Sequence, residues 1–395
     1  MLKTLRLKRQ EERRIQGGHL WIYSNEVNIH ETPLKNFTPG EQVRVETHGG
    51  KFLGIAYVNP QSLICGRLVS RDERILDRAL LLHRLQQALL LRAGLFDEPF
   101  YRLVYGESDL LPGLVVDRFG SHLSVQLNSA GMEAVKDQVL DALREVIEPE
   151  SILLRNDSSI RTLEGLSREI EVALGTVPHE VELVENGVRM LAPLHDGQKT
   201  GWFYDQRLNR AWLRQFARGR SVLDVFSYVG SFGVQAAVFG ARAVAAVDAS
   251  RPALEMAEKN AALNGVGKIF NSIQGDAFAV LKGLKAEGER FEVIVVDPPA
   301  FIKRKKDHKE GLQAYRRINE LAMQLLTPDG ILLSASCSMH LQREELLDVL
   351  RTAGRRLDRH VQILFEGMQG PDHPVHPAIA ETRYLKAFLA RVSQG

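Results

Sequence analysis

Asp224-Val-Phe-Ser-Tyr-Val-Gly230-Ser-Phe-Gly233 continues an apolar run that begins at Val222 and leads into a helical stretch over 232–240. The run Val222-Leu-Asp-Val-Phe226 is short, apolar and bounded, as expected of a strand buried on both faces. The glycines let the backbone turn tightly and approach a ligand closely. A glycine loop alone is weak, since many such loops are merely tight turns. The chain on either side decides the reading. Strand-like Ala243–Val247 precedes a helical period over 251–263. Val293–Val296 precedes another over 311–326, and Ile331–Ser336 closes the series. Strands alternating with helices predict the α/β class, with a Rossmann-like parallel sheet covered by helices on both faces.

N-terminal to this region the patterns differ. Glu41–Glu46, Gly49-Gly50 and Phe52–Val58 read as strand, turn and strand, and Asn59-Pro60 marks a further turn. Short strands at this spacing predict a small β-barrel over residues 1–72. From Ile75 the apolar period becomes helical as far as Gly94. Strand-like Tyr101–Tyr105, Leu114–Asp117 and His122–Leu127 follow, then a helix over about 131–147 and a strand at Ile152–Arg155. This predicts a small α+β domain over 73–187. Asn186-Gly187, between Val181–Glu185 and Val188–Leu191, signals a hairpin. The last predicted domain spans 188–395.

Composition narrows the class. Of 395 residues, 44% are hydrophobic and 25% charged, enough apolar side chain for several cores. Fifty-one basic residues against 49 acidic ones exclude a uniformly basic coat, though not a local basic patch. The two cysteines, Cys65 and Cys337, exclude both a disulfide framework and any CxxC motif, and suggest a reducing compartment. The basic N-terminus lacks the apolar core of a signal peptide, and no run is long enough to predict a membrane span. A cytoplasmic protein is expected.

Three further signals follow the glycine loop in chain order. Asp248 ends the next strand, where a carboxylate can accept from both hydroxyls of a ribose. Gly275-Asp276-Ala277 follows the third strand, where an acidic side chain can meet an adenine amino group. Asp297-Pro298-Pro299-Ala300-Phe301 follows the fourth. A nicotinamide-binding fold shares the glycines and the ribose acid but does not need this last motif. The combination resembles a class I S-adenosylmethionine-dependent methyltransferase, whose motif at this place grips a base edge and lays an aromatic ring on its face.

Cys337 follows the next strand, between Ser336 and Ser338. The carboxyl ends of neighbouring parallel strands lie side by side, so Cys337 and Asp297 are expected in one cleft. A thiolate adding to carbon 6 of a pyrimidine activates carbon 5 as a nucleophile. Only the thiolate attacks, so Cys337 needs a lowered pKa or a nearby base, which the sequence does not identify. Cys65, between Ile64 and Gly66, reads instead as a small packed hydrophobe.

Across nearly its whole length the chain resembles the bacterial large-subunit ribosomal RNA cytosine-5 methyltransferase I family. The matching stretches are Gly106-Glu-Ser-Asp-Leu-Leu-Pro-Gly-Leu-Val-Val-Asp-Arg118, Gly197-Gln-Lys-Thr-Gly-Trp-Phe-Tyr-Asp-Gln-Arg207, Phe226-Ser-Tyr-Val-Gly230, Asp297-Pro-Pro-Ala-Phe301 and Ser336-Cys-Ser338. The resemblance implies a PUA-like barrel, a central α+β domain and a methyltransferase domain. It implies Cys337 as nucleophile and Asp297 as its partner at the base. It assigns cofactor binding to Phe226, Tyr228, Gly230, Asp248, Asp276 and Asp297, with Gln198, Lys199, Thr200, Asp205 and Arg207 lining the cofactor and substrate cleft. Pro298, Pro299 and Phe301 would contact the target base. The implied cofactor is S-adenosylmethionine and the implied partner large-subunit ribosomal RNA, with a homodimer left open. The family loop often has Gly-Gly where this chain has Gly230-Ser231, tolerable if residue 231 has an ordinary backbone angle. Ala300 stands where relatives carry a larger side chain. Other RNA cytosine-5 methyltransferases have a cysteine in the strand-four motif that helps release product, and this chain has none there.

Lys303, Arg304, Lys305 and Lys306, with Lys309 beyond, set five basic residues against Asp307 beside the presumed cleft, which favours phosphate contact. Trp202, Phe203 and Tyr204 offer stacking surfaces, although three adjacent rings cannot all face one way. His373 and His376 with neighbouring prolines are too sparse to predict a metal site. Two other functions stay open: methylation of a nitrogen without covalent catalysis, and a non-catalytic RNA-binding assembly factor. The thiol addition serves uracil as well as cytosine.

Overall fold

The computed structural model describes residues 2–394. They form two compact units, one taking residues 2–181, 192–204 and 371–382, the other 182–191, 205–370 and 383–394.

The first unit holds two sheets. Strands β1 (Lys3–Arg6), β2 (Trp21–Ile22), β3 (Gln42–Glu46), β4 (Phe52–Val58) and β5 (Gly66–Ser70) are ordered β1-β3-β4-β5-β2. The predicted Gly49-Gly50 hairpin joins β3 to β4, with Gly50 at φ 81°. Leu5, Val43, Val45, Ala56, Val58 and Cys65 pack inside. Burial pushes the Cys65 thiol up to about 12, so it stays a neutral core residue. The second sheet orders β6 (Phe100–Tyr105), β7 (Leu114–Phe119), β8 (His122–Leu127), β9 (Ser151–Asn156) and β10 (Glu169–Leu174) as β10-β9-β8-β7-β6. Helices Arg78–Ala93 and Lys136–Ile147 contribute Leu81, Leu85, Val139 and Leu143 to its core. The single helix expected over 131–147 is two, Ala130–Ala134 and Lys136–Ile147, because Val135 leaves helical geometry at φ −114° and ψ 22°.

The two sheets belong to one unit because side chains interlock across them. The Tyr57 hydroxyl, from β4, donates to the Pro112 carbonyl (2.7 Å) and shares a hydrogen bond with the Ser129 hydroxyl (2.9 Å). Only glycine fits at 131, where a Cβ would lie 2.1 Å from the Tyr57 ring. Arg67, from β5, bonds Glu164 (2.9 Å), whose carboxylate also accepts from Asn59 and the Ala130 amide. Residues 371–382 return here: Asp372 accepts from the Arg102 amide (3.0 Å), and Ile379 packs into the first sheet's core. His373 bonds Asp372 at 3.0 Å and is buried with it.

Strands β11 (Glu180–Glu185) and β12 (Val188–Pro193) form the expected two-stranded hairpin, with Asn186 and Gly187 at φ 55° and 76°. The second unit carries the large sheet: β13 (Ser221–Val225), β14 (Ala243–Asp248), β15 (Phe270–Gln274), β16 (Phe291–Val296), β17 (Leu326–Ser336), β18 (Arg359–Gly367) and β19 (Lys386–Gln394). Their order is β15-β14-β13-β16-β17-β19-β18. From β15 to β17 all neighbours are parallel; β19 and β18 then add an antiparallel edge. Strand order reverses between β13 and β16, and the crevice beyond the carboxyl ends at such a point is where open α/β sheets bind ligands.

Candidate active site

The β13 carboxyl end runs into the glycine loop. Phe226, Tyr228 and Gly230 all have positive φ, at 66°, 50° and 78°. Bulky residues rarely adopt this geometry, which gathers at ligand sites where surrounding contacts enforce it. Here the Phe226 and Ser227 amides both donate to the Val247 carbonyl (2.9 and 3.0 Å), and the Tyr228 amide donates to Asp248 Oδ2 (2.9 Å). A Cβ on residue 230 would sit 2.8 Å from the Ala257 Cβ, so glycine is required by space as well as by angle. Ser231 is the first residue of helix Ser231–Val238 and has ordinary geometry, which accommodates its substitution for the second glycine.

Several acceptors line this loop. Asp248 also accepts from the Ser250 amide through Oδ1 (2.9 Å), leaving each carboxylate oxygen a further lone pair. Asp224 Oδ2 accepts from the Gly233 amide (2.8 Å), while its Oδ1 and the Ser227 hydroxyl are buried with no protein partner. Unsatisfied buried acceptors beside a strained glycine loop suit a polar ligand. Burial pushes the Asp224 carboxyl up to about 7; the Gly233 amide opposes this, and Asp297 and Asp248 add to it. Asp276 is exposed and caps helix Ala277–Ala286 by accepting from the Ala279 amide (3.0 Å).

Asp297 leaves the end of β16, half-buried, its Oδ1 accepting from Gln206 Nε2 (2.9 Å). Gln206, which lies within the Gln198–Arg207 segment expected at the cleft, is held in turn by Asn209 (2.6 Å). Pro298 is buried and Pro299 exposed. Phe301 sits in a ring cluster with Tyr315 (4.8 Å between centroids), Phe278 (6.1 Å) and Phe226 (6.2 Å). Lys303, Arg304, Lys305 and Lys306 are exposed, and Arg304 pairs with Asp307.

Cys337 is partly exposed at the carboxyl end of β17. The register sets Val296 opposite Ser334, so β16 and β17 deliver Asp297 and Cys337 to the same edge of the sheet. The buried serines flanking Cys337 are held by Tyr315 of helix His308–Leu325: the Ser336 hydroxyl donates to the Tyr315 oxygen (2.8 Å), and the Tyr315 and Ser338 hydroxyls share a bond of 2.8 Å. The Ser338 hydroxyl also accepts from the Ile302 amide (3.1 Å), which ties the Asp297–Phe301 motif to the cysteine loop. Tyr315 lies in an otherwise ordinary amphipathic helix, so no local pattern could have found it.

The remaining expected residues divide between the units. Asp205 and Arg207 belong to the second; Asp205 accepts from the Tyr384 hydroxyl and, through its carbonyl, from the Gly370 amide (2.9 Å). Arg207 lies 3.5 Å from Glu185, which Arg210 grips with both guanidinium arms. Gln198, Lys199 and Thr200 belong to the first unit, where the Lys199 ammonium lies 4.9 Å from the Phe203 ring centroid and the Thr200 hydroxyl is buried without a partner. That unit also has a cavity of about 640 Å³ beside β5 and helix Arg78–Ala93, lined by Arg71, Arg74, His83 and Arg84 over Leu68 and Leu80. Among the described residues, no helix is long and apolar enough to cross a membrane, and no three His, Cys, Asp or Glu side chains gather as a metal site.

Residues 167–391 match the model of an S-adenosylmethionine-dependent methyltransferase family, and residues 5–71 that of a PUA-like domain. A protein of Klebsiella pneumoniae named ribosomal RNA large subunit methyltransferase I is 36% identical over 99% of both chains. One of the same name from Erwinia tasmaniensis is 37% identical over 99% of this chain and 100% of its own. A solved methyltransferase complexed with S-adenosylhomocysteine shares the fold at TM-score 0.85, with 21% identity over 99% of this chain and 100% of its own. The strained glycine loop, the Asp248 carboxylate that holds it and the unsatisfied buried oxygens of Asp224 and Ser227 accord with S-adenosylmethionine as cofactor. The chain belongs to the S-adenosylmethionine-dependent methyltransferases, in the branch that carries an N-terminal PUA-like domain and includes the enzymes named ribosomal RNA large subunit methyltransferase I.

Proposed function

We propose that this enzyme methylates carbon 5 of a cytosine in large-subunit ribosomal RNA through a covalent adduct with Cys337. The relatives' names supply the RNA class. The observation that carries the chemistry is a partly exposed thiol at the ligand edge of the sheet, on a loop pinned by Tyr315 and tied through Ile302 to the Asp297 motif. Nitrogen methylation has no use for such a thiol. S-adenosylmethionine supplies a methyl group activated by its sulfonium. The Cys337 thiolate adds to carbon 6 of the pyrimidine, and Asp297 holds the ring nitrogen as it takes up a proton. Carbon 5, now nucleophilic, takes the methyl group. A base removes the carbon-5 proton, and the C–S bond breaks to return the thiolate. The target base must leave its stack to reach the sulfur. Exposed Lys303, Lys305 and Lys306 offer phosphate contacts, as do exposed Arg71 and Arg74 around the first unit's cavity.

The test is incubation with 5-fluorocytosine-containing ribosomal RNA and S-adenosylmethionine. Fluorine at carbon 5 cannot leave as a proton does, so the adduct should accumulate and map to Cys337 by mass spectrometry. Cys337→Ala should form no adduct and transfer no methyl group. Continued methylation by that variant, on a nitrogen, would overturn the proposal; absence of transfer to any ribosomal RNA would favour an assembly factor.

A further inference from the structure

The covalent route leaves open what stabilises Cys337 as a thiolate. We propose that Lys386 is a positioning residue for this sulfur: it fixes the chain beyond Cys337 and sets an ammonium beside the charged thiolate. The inference rests on the reading of Cys337 as nucleophile. Lys386 opens β19, and the antiparallel register places it directly opposite Ser336. Its Nζ donates to the carbonyls of Ser338 and Leu341, both at 2.7 Å, so one ammonium closes the loop that follows the cysteine. An ammonium has three N–H donors, and these bonds use two.

Electrostatics agrees with this placement. Burial pulls the Lys386 ammonium down to about 8, and Cys337 acts in the opposite sense. Glu345, from the start of helix Arg343–Arg356, also favours the charged lysine; it bonds His308 (2.8 Å). Arg383 opposes it. From helix His308–Leu325, Tyr315 also feels Cys337, but burial raises its hydroxyl, so it stays neutral and offers no counter-charge. Asp297, at the end of β16, carries the same sign as a thiolate and cannot stabilise one. When the thiol ionises near pH 7 its proton goes to solvent, the lysine, still below its own value of about 8, keeps its proton, and an ammonium–thiolate pair results. Addition to carbon 6 consumes the thiolate and elimination restores it, so the pair is reset each cycle.

The test titrates the sulfur directly. The full chain is alkylated with iodoacetamide between about pH 6 and pH 10, and modification of Cys337 is followed by peptide mass spectrometry. Buried Cys65 is the unreactive internal reference. An opposite charge at close range lowers an acid's pKa by about one unit or more, so Lys386→Met should slow alkylation near pH 7 about tenfold and raise its midpoint. Lys386→Arg, which keeps the charge, should restore most of the rate. An unshifted midpoint in Lys386→Met overturns the proposal. If that variant does not fold, Lys386→Gln gives the same reading with the hydrogen-bonding donor kept. If neither folds, Cys337→Ser should lower the Lys386 titration seen by NMR of isotopically methylated lysines, and an unchanged titration overturns the proposal. The alkylation result is independent of the RNA reaction: a wild-type chain that forms no 5-fluorocytosine adduct would refute covalent catalysis while leaving the lysine–thiolate pairing judged on its own.

Discussion

Asp224→Asn tests what a buried carboxyl beside the glycine loop costs the fold. The wild-type carboxyl is fully buried and pushed up to about 7, against 3.8 for an unperturbed aspartate. Below about pH 4 both folded and unfolded chains carry the proton, and the site costs nothing. Between there and about pH 7 the unfolded chain loses the proton while the folded chain keeps it, so stability falls as pH rises and the loss is complete above the folded value. At 1.36 kcal/mol per unit, a gap of about three units corresponds to about 4 kcal/mol, lost between about pH 4 and pH 7. Asparagine keeps the shape and the oxygen that accepts from the Gly233 amide but cannot ionise. Urea unfolding of both proteins at several pH values gives their stability difference. The variant should gain on the wild type by a few kcal/mol across that interval. Parallel pH profiles would refute the assignment of a strained, desolvated carboxyl to this position.

Gly230→Ala forces a Cβ to 2.8 Å from the Ala257 Cβ at a φ of 78°. It should cost about 1–3 kcal/mol in unfolding free energy and weaken S-adenosylmethionine binding in calorimetry; unchanged affinity would show that the loop is not the cofactor cradle. Tyr315→Phe leaves the Ser336 and Ser338 hydroxyls without their shared partner. It should destabilise by about 1–3 kcal/mol and slow adduct formation at Cys337 while cofactor affinity holds; wild-type adduct kinetics would show that this network does not position the sulfur.

The chain's own pattern determined the α/β alternation, the hairpins at Gly49-Gly50 and Asn186-Gly187, the helix over 251–263 and the motifs that end successive strands, because periodicity and turn chemistry are local properties. The glycine requirement at 230 was legible for the same reason, and the tolerance of Ser231 followed from its helical angle. Non-local pairing was not legible. Nothing near Lys386 signals that an antiparallel strand will bring it opposite Ser336, 50 residues earlier. Nothing around Tyr315 marks it as the brace of a loop that begins some twenty residues later. Gln206 reaches Asp297 across 91 residues, and Tyr57 locks the first sheet to the second through Pro112 and Ser129. Sequence spacing carries the period of a strand or helix, whereas which side chains meet at the end of a sheet depends on strand order and direction. Those are set by the packing of whole elements, and only the tertiary structure decides them.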